Sequence, residues 1–206
     1  MNKIFFTGLL LIVVFLICAC GASVKMIDSW MDESKAGYSI DNVLVIGISQ
    51  KEITRNLWEN TFVELLGKNS IKAQAGHIVS GDQAIEPDRK SILAAVQKIG
   101  ADTVLITRVV GTEEKTKTRP GIVHYEPAPY YMGMYDYYGY AYRTVYNPPV
   151  NYNETTVRLE SNLYDVATEK LIWTARSEAV DANLLKTDYA KMANLLLDDL
   201  RKKKLL

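Results

Sequence analysis

Beyond residue 20 the chain has no cysteine, and its 206 residues contain only two histidines. Cys18 and Cys20 stand together near the start, so the body can form no disulfide and no thiolate metal site. His77 and His124 fall in different expected loops and make no ligand pair of the His-x-x-x-His kind, so no metal is assigned. An excess of either charge is missing too, with 24 Lys and Arg against 24 Asp and Glu, and no global field favours nucleic acid. Gly67, Gly76 and Gly81 do not form a glycine-rich loop between a strand and a helix, which removes the usual phosphate cradle. No Gly-x-Ser-x-Gly elbow is present. The acidic pairs Glu113-Glu114 and Asp198-Asp199 lie on polar faces without a partner that would separate their pKa values. No catalytic residue or cofactor is assigned, and a binding or assembly accessory is expected rather than an enzyme.

The beginning of the chain is its most informative stretch. Lys3 supplies a short positive start, and residues 4–19 are apolar apart from Thr7 and Gly8. Ile17, Ala19 and Cys20 then have the layout of a bacterial lipobox: an aliphatic residue, a small residue before the cut, and the cysteine after it. In that reading the Cys20 thiol takes a diacylglyceryl group and the freed amine a fatty acyl chain such as palmitate. Each buried methylene adds ~0.8 kcal/mol, so two or three chains anchor a protein stably. The alternative is an uncleaved transmembrane anchor, but about 16 residues fall short of the ~20 that a spanning helix needs. Residues 1–19 are expected to be a signal peptide, residues 20–41 a lipidated tether, and residues 42–206 one domain. Gly21 after the cysteine, by resemblance to sorted lipoproteins, favours the outer membrane with the domain facing the periplasm.

The tether includes room for a short edge strand near residues 24–30, with Trp30 expected to pack on the domain. Residues 43–48, Val-Leu-Val-Ile-Gly-Ile, form the short apolar run of a buried strand. Ser49 and Glu52 have capping-box spacing before an apolar helical stripe that includes Ile53, Leu57, Trp58, Phe62 and Leu66, with Gly67 expected to end the helix. A strand near residues 71–75 follows, then a loop over 77–86, a helix opened by Pro87-Asp88, and Gly100 as its cap. The β-branched run of residues 101–111 reads as a strand covered on both faces.

Residues 155–164 and 171–175 alternate as an antiparallel hairpin, and a final helix near 187–203 buries Tyr189, Met192, Ala193, Leu196 and Leu200. The expected fold is α/β. Its mixed five-stranded sheet is flanked by three helices in the order β-α-β-α-β-β-β-α, with strands ordered second, first, third, fourth, fifth and the hairpin at one edge.

Residues 112–154 interrupt this pattern. All but three of the thirteen tyrosines (Tyr38, Tyr164 and Tyr189) and every proline but Pro87 lie between residues 119 and 152, without helical or strand period. Tyrosine offers rigid amphipathic contact area at low entropic cost. Tyr130, Tyr131, Tyr135, Tyr137, Tyr138, Tyr140 and Tyr142 are therefore candidate contacts for an envelope protein. Stacking on a glycan such as peptidoglycan, or an idle low-complexity insert, are the alternatives. The other candidate is the crevice beyond the carboxyl ends of the parallel strands, where Ser49, Gln50 and Arg108 could hold an anion at a helix start. Arg108 could equally pair with a neighbouring glutamate.

Five segments carry a family resemblance. They are Ser29-Trp30, Asn-Val-Leu-Val-Ile-Gly-Ile-Ser from Asn42, Arg-Asn-Leu-Trp-Glu-Asn-Thr-Phe from Arg55, Gly-Ala-Asp-Thr-Val-Leu-Ile-Thr-Arg from Gly100, and Leu-Tyr-Asp-Val-Ala-Thr-Glu-Lys-Leu-Ile-Trp from Leu163. With them the chain resembles small bacterial outer-membrane lipoproteins of unknown function over residues 24–112 and 153–203. In layout it is more distantly similar to the periplasmic α/β domains of the TolB amino-terminal, curli-secretion and penicillin-binding-protein-activator lipoproteins. That likeness implies binding to envelope proteins and transfers no site residue.

Overall fold

The computed structural model describes residues 23–119, 133–145, 150–180 and 186–206. Cys20, Tyr130 and Tyr131 lie outside the described residues. The chain divides into two units, one of residues 1–112 and 156–206 and the other of residues 113–155.

Strands β1 (Ser23–Met31), β2 (Asn42–Ile48), β3 (Lys72–Ala75), β4 (Thr103–Arg119), β5 (Val150–Asp165) and β6 (Leu171–Val180) form one sheet in the order β1-β6-β5-β4-β2-β3. The helices are α1 (Glu52–Lys68), α2 (Gly76–Val79), α3 (Arg89–Ile99), α4 (Met134–Val145) and α5 (Lys186–Lys202), with a 3-10 turn over Glu33–Lys35. β2 pairs in parallel with both β3 and β4, whereas β6 pairs antiparallel with β1 and β5. Thr107 meets Ser161 and Arg108 meets Glu160 across β4 and β5, so that pair runs antiparallel as well.

The five expected strands occur in the expected order, but the sheet has six strands and the described residues five α-helices. The sixth strand is β1, nine residues long, which covers the hairpin so that β6 is no edge. Residues 23–31 of the expected tether thus belong to the sheet. Trp30, placed on the outer face, is 51% exposed and does not pack on the domain as expected.

Alternate residues of β2 enter different cores, as the continuous apolar run requires. Val43 and Val45 join Leu105, Trp58, Phe62 and Leu66 of α1, and Met192, Leu196 and Leu200 of α5. Leu44 joins Val104, Val79, and Ala95 and Val96 of α3 on the other face. On β5 and β6 burial falls mainly on one side, where Val157, Leu159, Leu163, Trp173, Ala175 and Ala179 join the core with α5. Trp173 is fully buried, and its Nε1 donates to Asp199 Oδ2 (2.8 Å). Ser29 Oγ donates to the other oxygen of that carboxylate (3.1 Å), so one side chain of α5 fastens both β1 and β6. Burying a large apolar side chain contributes roughly 1.5–3 kcal/mol, which makes this α1–α5 core the main source of stability.

Helix ends follow local chemistry in part. Asp88 caps α3 by accepting from the Ser91 amide (2.9 Å), and Gly100 takes the left-handed φ of 64° that ends it. The Ser49–Glu52 capping box does not form. The residue at the cap of α1 is Lys51, so Glu52 opens the helix instead of standing three residues inside it, and Ser49 Oγ accepts from the Lys51 amide (3.1 Å). Gly67 lies inside α1, which runs on to Lys68. Ile53 is 82% exposed, off the buried stripe assigned to it. His77 is in a short helix, α2, and buried, not in a loop.

In the second unit the outer ends of β4 and β5 are joined across the pair by Thr116–Asn153, Lys117–Glu154 and Thr118–Asn151 contacts. The unit also contains α4, although its sequence has no expected helical period.

Candidate functional site

The connection from β2 through α1 leads to β3 on one side, and the connection from β3 through α3 leads to β4 on the other. The strand order therefore reverses at β2, and the space beyond the carboxyl ends of β2 and β4 is the place where open α/β sheets usually take ligands.

Gly47 shapes that space. A Cβ there would lie 3.3 Å from Trp58 Cδ1 and 3.5 Å from Arg55 Cγ, so the bare backbone lets both α1 side chains lie directly on β2. The Gly47 amide donates to Glu59 Oε1 (2.8 Å), and the His77 amide donates to Glu59 Oε2 (2.9 Å). His77 Nδ1 lies 2.6 Å from that same Oε2. Glu59 is 1% exposed and His77 3%, so one buried carboxylate ties the ends of β2 and β3 together through two main-chain amides and a ring nitrogen. Among the described residues no serine or threonine side chain completes a nucleophile–imidazole–carboxylate relay with this pair, and no group of three or more His, Cys, Asp or Glu is placed to hold a metal.

A cavity of about 350 Å³ opens beside Glu59. It is lined by Ile46, Gly47, Ile48, Ser49, Arg55 and Glu59, by residues 84–87, and by Ile92 and Ile106. A smaller one of about 30 Å³ shares Arg55 and Ser49, and is lined also by Trp58, Thr107, Arg108 and Tyr189. Trp58 Nε1 is buried without an acceptor among the described residues. Tyr189 bonds to Thr54, and its hydroxyl pKa is raised by burial.

The three residues expected here behave differently from one another. Ser49 lines both cavities, Gln50 is exposed and lines neither, and Arg108 reaches only the smaller. The Arg108 guanidinium turns instead to Glu160, with Nε at 3.2 Å and Nη2 at 3.4 Å, which is the glutamate pairing weighed against the crevice. The cation that does line the crevice is Arg55. The signal for it was available: Arg55 and Glu59 share a helical stripe with Trp58, Phe62 and Leu66, and two charges on an apolar stripe are unusual.

Arg108 joins a ladder of charges on the sheet face opposite α5. Lys25 and Arg158 both meet Glu178 (3.1 and 2.9 Å), and Arg176 pairs with Asp28. The hydrogen bonds from Lys25 and Arg158 hold Glu178 below the usual carboxylate range, and that from Arg176 does the same for Asp28. These are solvated pairs, each of small energetic weight. A further apolar cavity of about 370 Å³ beside α3, floored by Val104, Ile106 and Tyr164, has its rim charges already engaged, Arg89 with Glu169 and Asp88 with the α3 amides.

In the second unit, the rings of Tyr135, Tyr138 and Tyr142 recur at i, i+3 and i+7 on α4, and they are 84%, 69% and 52% exposed. The Tyr138 and Tyr142 rings stand 6.1 Å apart, tilted by 34°. Tyr137 is also exposed, and Tyr140 half-buried.

A scan of protein-family models finds no match to the chain. A search of curated protein sequences finds none either. Among solved structures, a PelC dodecamer from Paraburkholderia phytofirmans aligns with 85% of this chain and 95% of its own at 12% identity and a TM-score of 0.43. The lipoprotein GNA1162 from Neisseria meningitidis aligns over 79% and 99% at 15% identity and a TM-score of 0.40. A putative neuraminyllactose-binding hemagglutinin homolog from Helicobacter pylori aligns over 82% and 86% at 13% identity and a TM-score of 0.35. None of these likenesses is close enough to carry a function or an assembly to this chain.

Proposed function

We propose that this chain is a lipoprotein anchored through Cys20 in the bacterial outer membrane, facing the periplasm, and that it acts as a non-catalytic binding or envelope-assembly accessory whose tyrosine-rich unit meets an envelope protein. The observation that carries the contact is the stripe of exposed rings at Tyr135, Tyr138 and Tyr142 on α4. Exposed aromatic rings of this density are costly to leave in water and suit a contact surface. The lipobox, and the resemblance of the segments around Asn42, Arg55, Gly100 and Leu163 to small outer-membrane lipoproteins, support the location. No helix among the described residues is long and apolar enough to cross a membrane.

Two measurements test the reading. Mass spectrometry of the mature amino terminus should find acylated Cys20; an intact Met1 overturns the anchor. Affinity capture from detergent-solubilised envelopes should lose its main protein partner when Tyr135, Tyr138 and Tyr142 are changed to Ser, and an unchanged capture overturns the contact. Sedimentation with purified peptidoglycan that depends on the same rings would assign the surface to glycan instead.

A further inference from the structure

Arg55 is nine-tenths buried at the carboxyl ends of β2 and β4, yet no carboxylate among the described residues pairs with it. Its exposure is 9%, its Nε donates to Asn56 Oδ1 (3.2 Å), and among the described residues it forms no ion pair. Most of the side chain is withdrawn from water while its charge stays unpaired, so an anion in the cavity that it lines would complete the arrangement. Glu59, one turn further along α1, does not fill that role, because the Gly47 and His77 amides and the His77 ring occupy its two oxygens. Glu86 lines the same cavity but is exposed to water.

A second observation has the same sign. Trp58 is 4% exposed, and its Nε1, beside the smaller cavity that Arg55 also lines, has no acceptor among the described residues. The larger cavity, about 350 Å³, is otherwise walled by Ile46, Ile48, Ile85, Ile92 and Ile106, and its size lies in the range of small-ligand pockets.

We propose that this crevice binds an amphipathic anion, a short apolar body ending in a carboxylate or phosphate group, with Arg55 holding the head and the isoleucine walls holding the body. The site lies wholly within the first unit and depends neither on lipidation at Cys20 nor on the tyrosine surface.

The test uses the full-length chain in phosphatidylcholine nanodiscs, with empty nanodiscs subtracted, and ligand-observed saturation-transfer NMR. The probes are hexanoate, hexyl phosphate, hexanol and inorganic phosphate. Binding of hexanoate, hexyl phosphate or both is expected, with hexanol and inorganic phosphate each weaker, and the better anion identifies the head group. Arg55→Gln should weaken that anion about tenfold or more, the loss of one charge-assisted contact. Ile85→Trp, which fills the cavity from the loop side and leaves Arg55 in place, should abolish it. Absence of any anion signal above empty nanodiscs overturns the proposal. So does equal binding to folded Arg55→Gln, or inorganic phosphate binding as tightly as hexyl phosphate. If Arg55→Gln does not fold, Ile85→Trp decides: retained binding overturns the site.

Discussion

Glu59 Oε2 accepts from the His77 amide at 2.9 Å and lies 2.6 Å from the Nδ1 of the same residue, while Oε1 takes the Gly47 amide at 2.8 Å. Main-chain donors at the ends of two parallel strands therefore rely on a side chain instead of on a third strand. Glu59→Gln replaces one acceptor oxygen with a donor that must face an N–H in either orientation of the amide. With the site 1% exposed, the expected loss of stability is about 2–4 kcal/mol, measured by urea unfolding. A loss below about 0.5 kcal/mol would mean that the amides find another acceptor.

The glycines at the ends of α1 and α3 should respond in opposite directions. Gly67 lies inside α1 with ordinary helical backbone and no atom within 4 Å of an added Cβ, so Gly67→Ala should stabilise by about 0.5–1 kcal/mol. Gly100 has equal space but a φ of 64°, and Gly100→Ala should destabilise by about 1 kcal/mol through backbone strain alone. Thermal melts of the two variants should shift to opposite sides of the parent; a stabilising Gly100→Ala would refute the left-handed cap.

These two glycines also mark the limit of what sequence made legible. The Val43–Leu44–Val45 run, the Asp88 cap and Gly100 were readable because each depends on chemistry within a few residues. The final helix was readable because Tyr189, Met192, Leu196 and Leu200 repeat with helical period. Gly67 was misread because Asn69 and Ser70, the latter at a φ of 62°, end α1 where a glycine usually would. Arg55, Glu59 and His77 stayed hidden for a different reason. Their burial follows from the close approach of α1 to Gly47 and of α2 to β2, which no local period encodes. Arg108 was placed in the crevice from strand position, yet Glu160, 52 residues away, claims it.

Asp165 links acidity to stability. Burial raises its pKa, but hydrogen bonds from Lys35 Nζ (2.8 Å), Thr168 Oγ1 (2.7 Å) and the Ala167 amide (3.1 Å) outweigh that and hold it at about 2. Burial, and then the Asp165 charge, push the nearby Tyr38 hydroxyl up to about 12. A carboxyl depressed in the folded state stabilises above its unfolded pKa of about 3.9, and that contribution disappears as pH falls through about 2. The wild type should therefore lose about 1–2 kcal/mol more than Asp165→Asn between pH 5 and pH 2, after allowance for solvent screening. Parallel losses in the two proteins, followed by urea unfolding across that range, would remove Asp165 as the linked group.

The last prediction separates the two units. Among the described residues, every member of the two apolar cores belongs to residues 1–112 or 156–206, and none to the stretch between them. The cross-strand contacts Thr107–Ser161 and Arg108–Glu160, carried along the antiparallel pair, bring Thr112 beside Thr156, within the one-residue shift that Thr116–Asn153 and Thr118–Asn151 show further out. An Asn-Gly turn joining those two threonines would close β4 and β5 as a tight hairpin, a geometry whose twist suits the strands. Removing residues 113–155 in this way shortens a loop whose closure entropy changes slowly with length, so unfolding free energy should stay within about 1 kcal/mol of the parent. The Trp173–Asp199 bond and the Glu59 clamp lie in the retained part, and their mutational effects should persist. The shortened protein should meanwhile lose the envelope partner assigned to Tyr135, Tyr138 and Tyr142 while keeping any anion binding at Arg55. A cooperative melt with capture lost and anion binding intact is the expected pattern. A chain that cannot fold without residues 113–155 would show that the second unit completes the first.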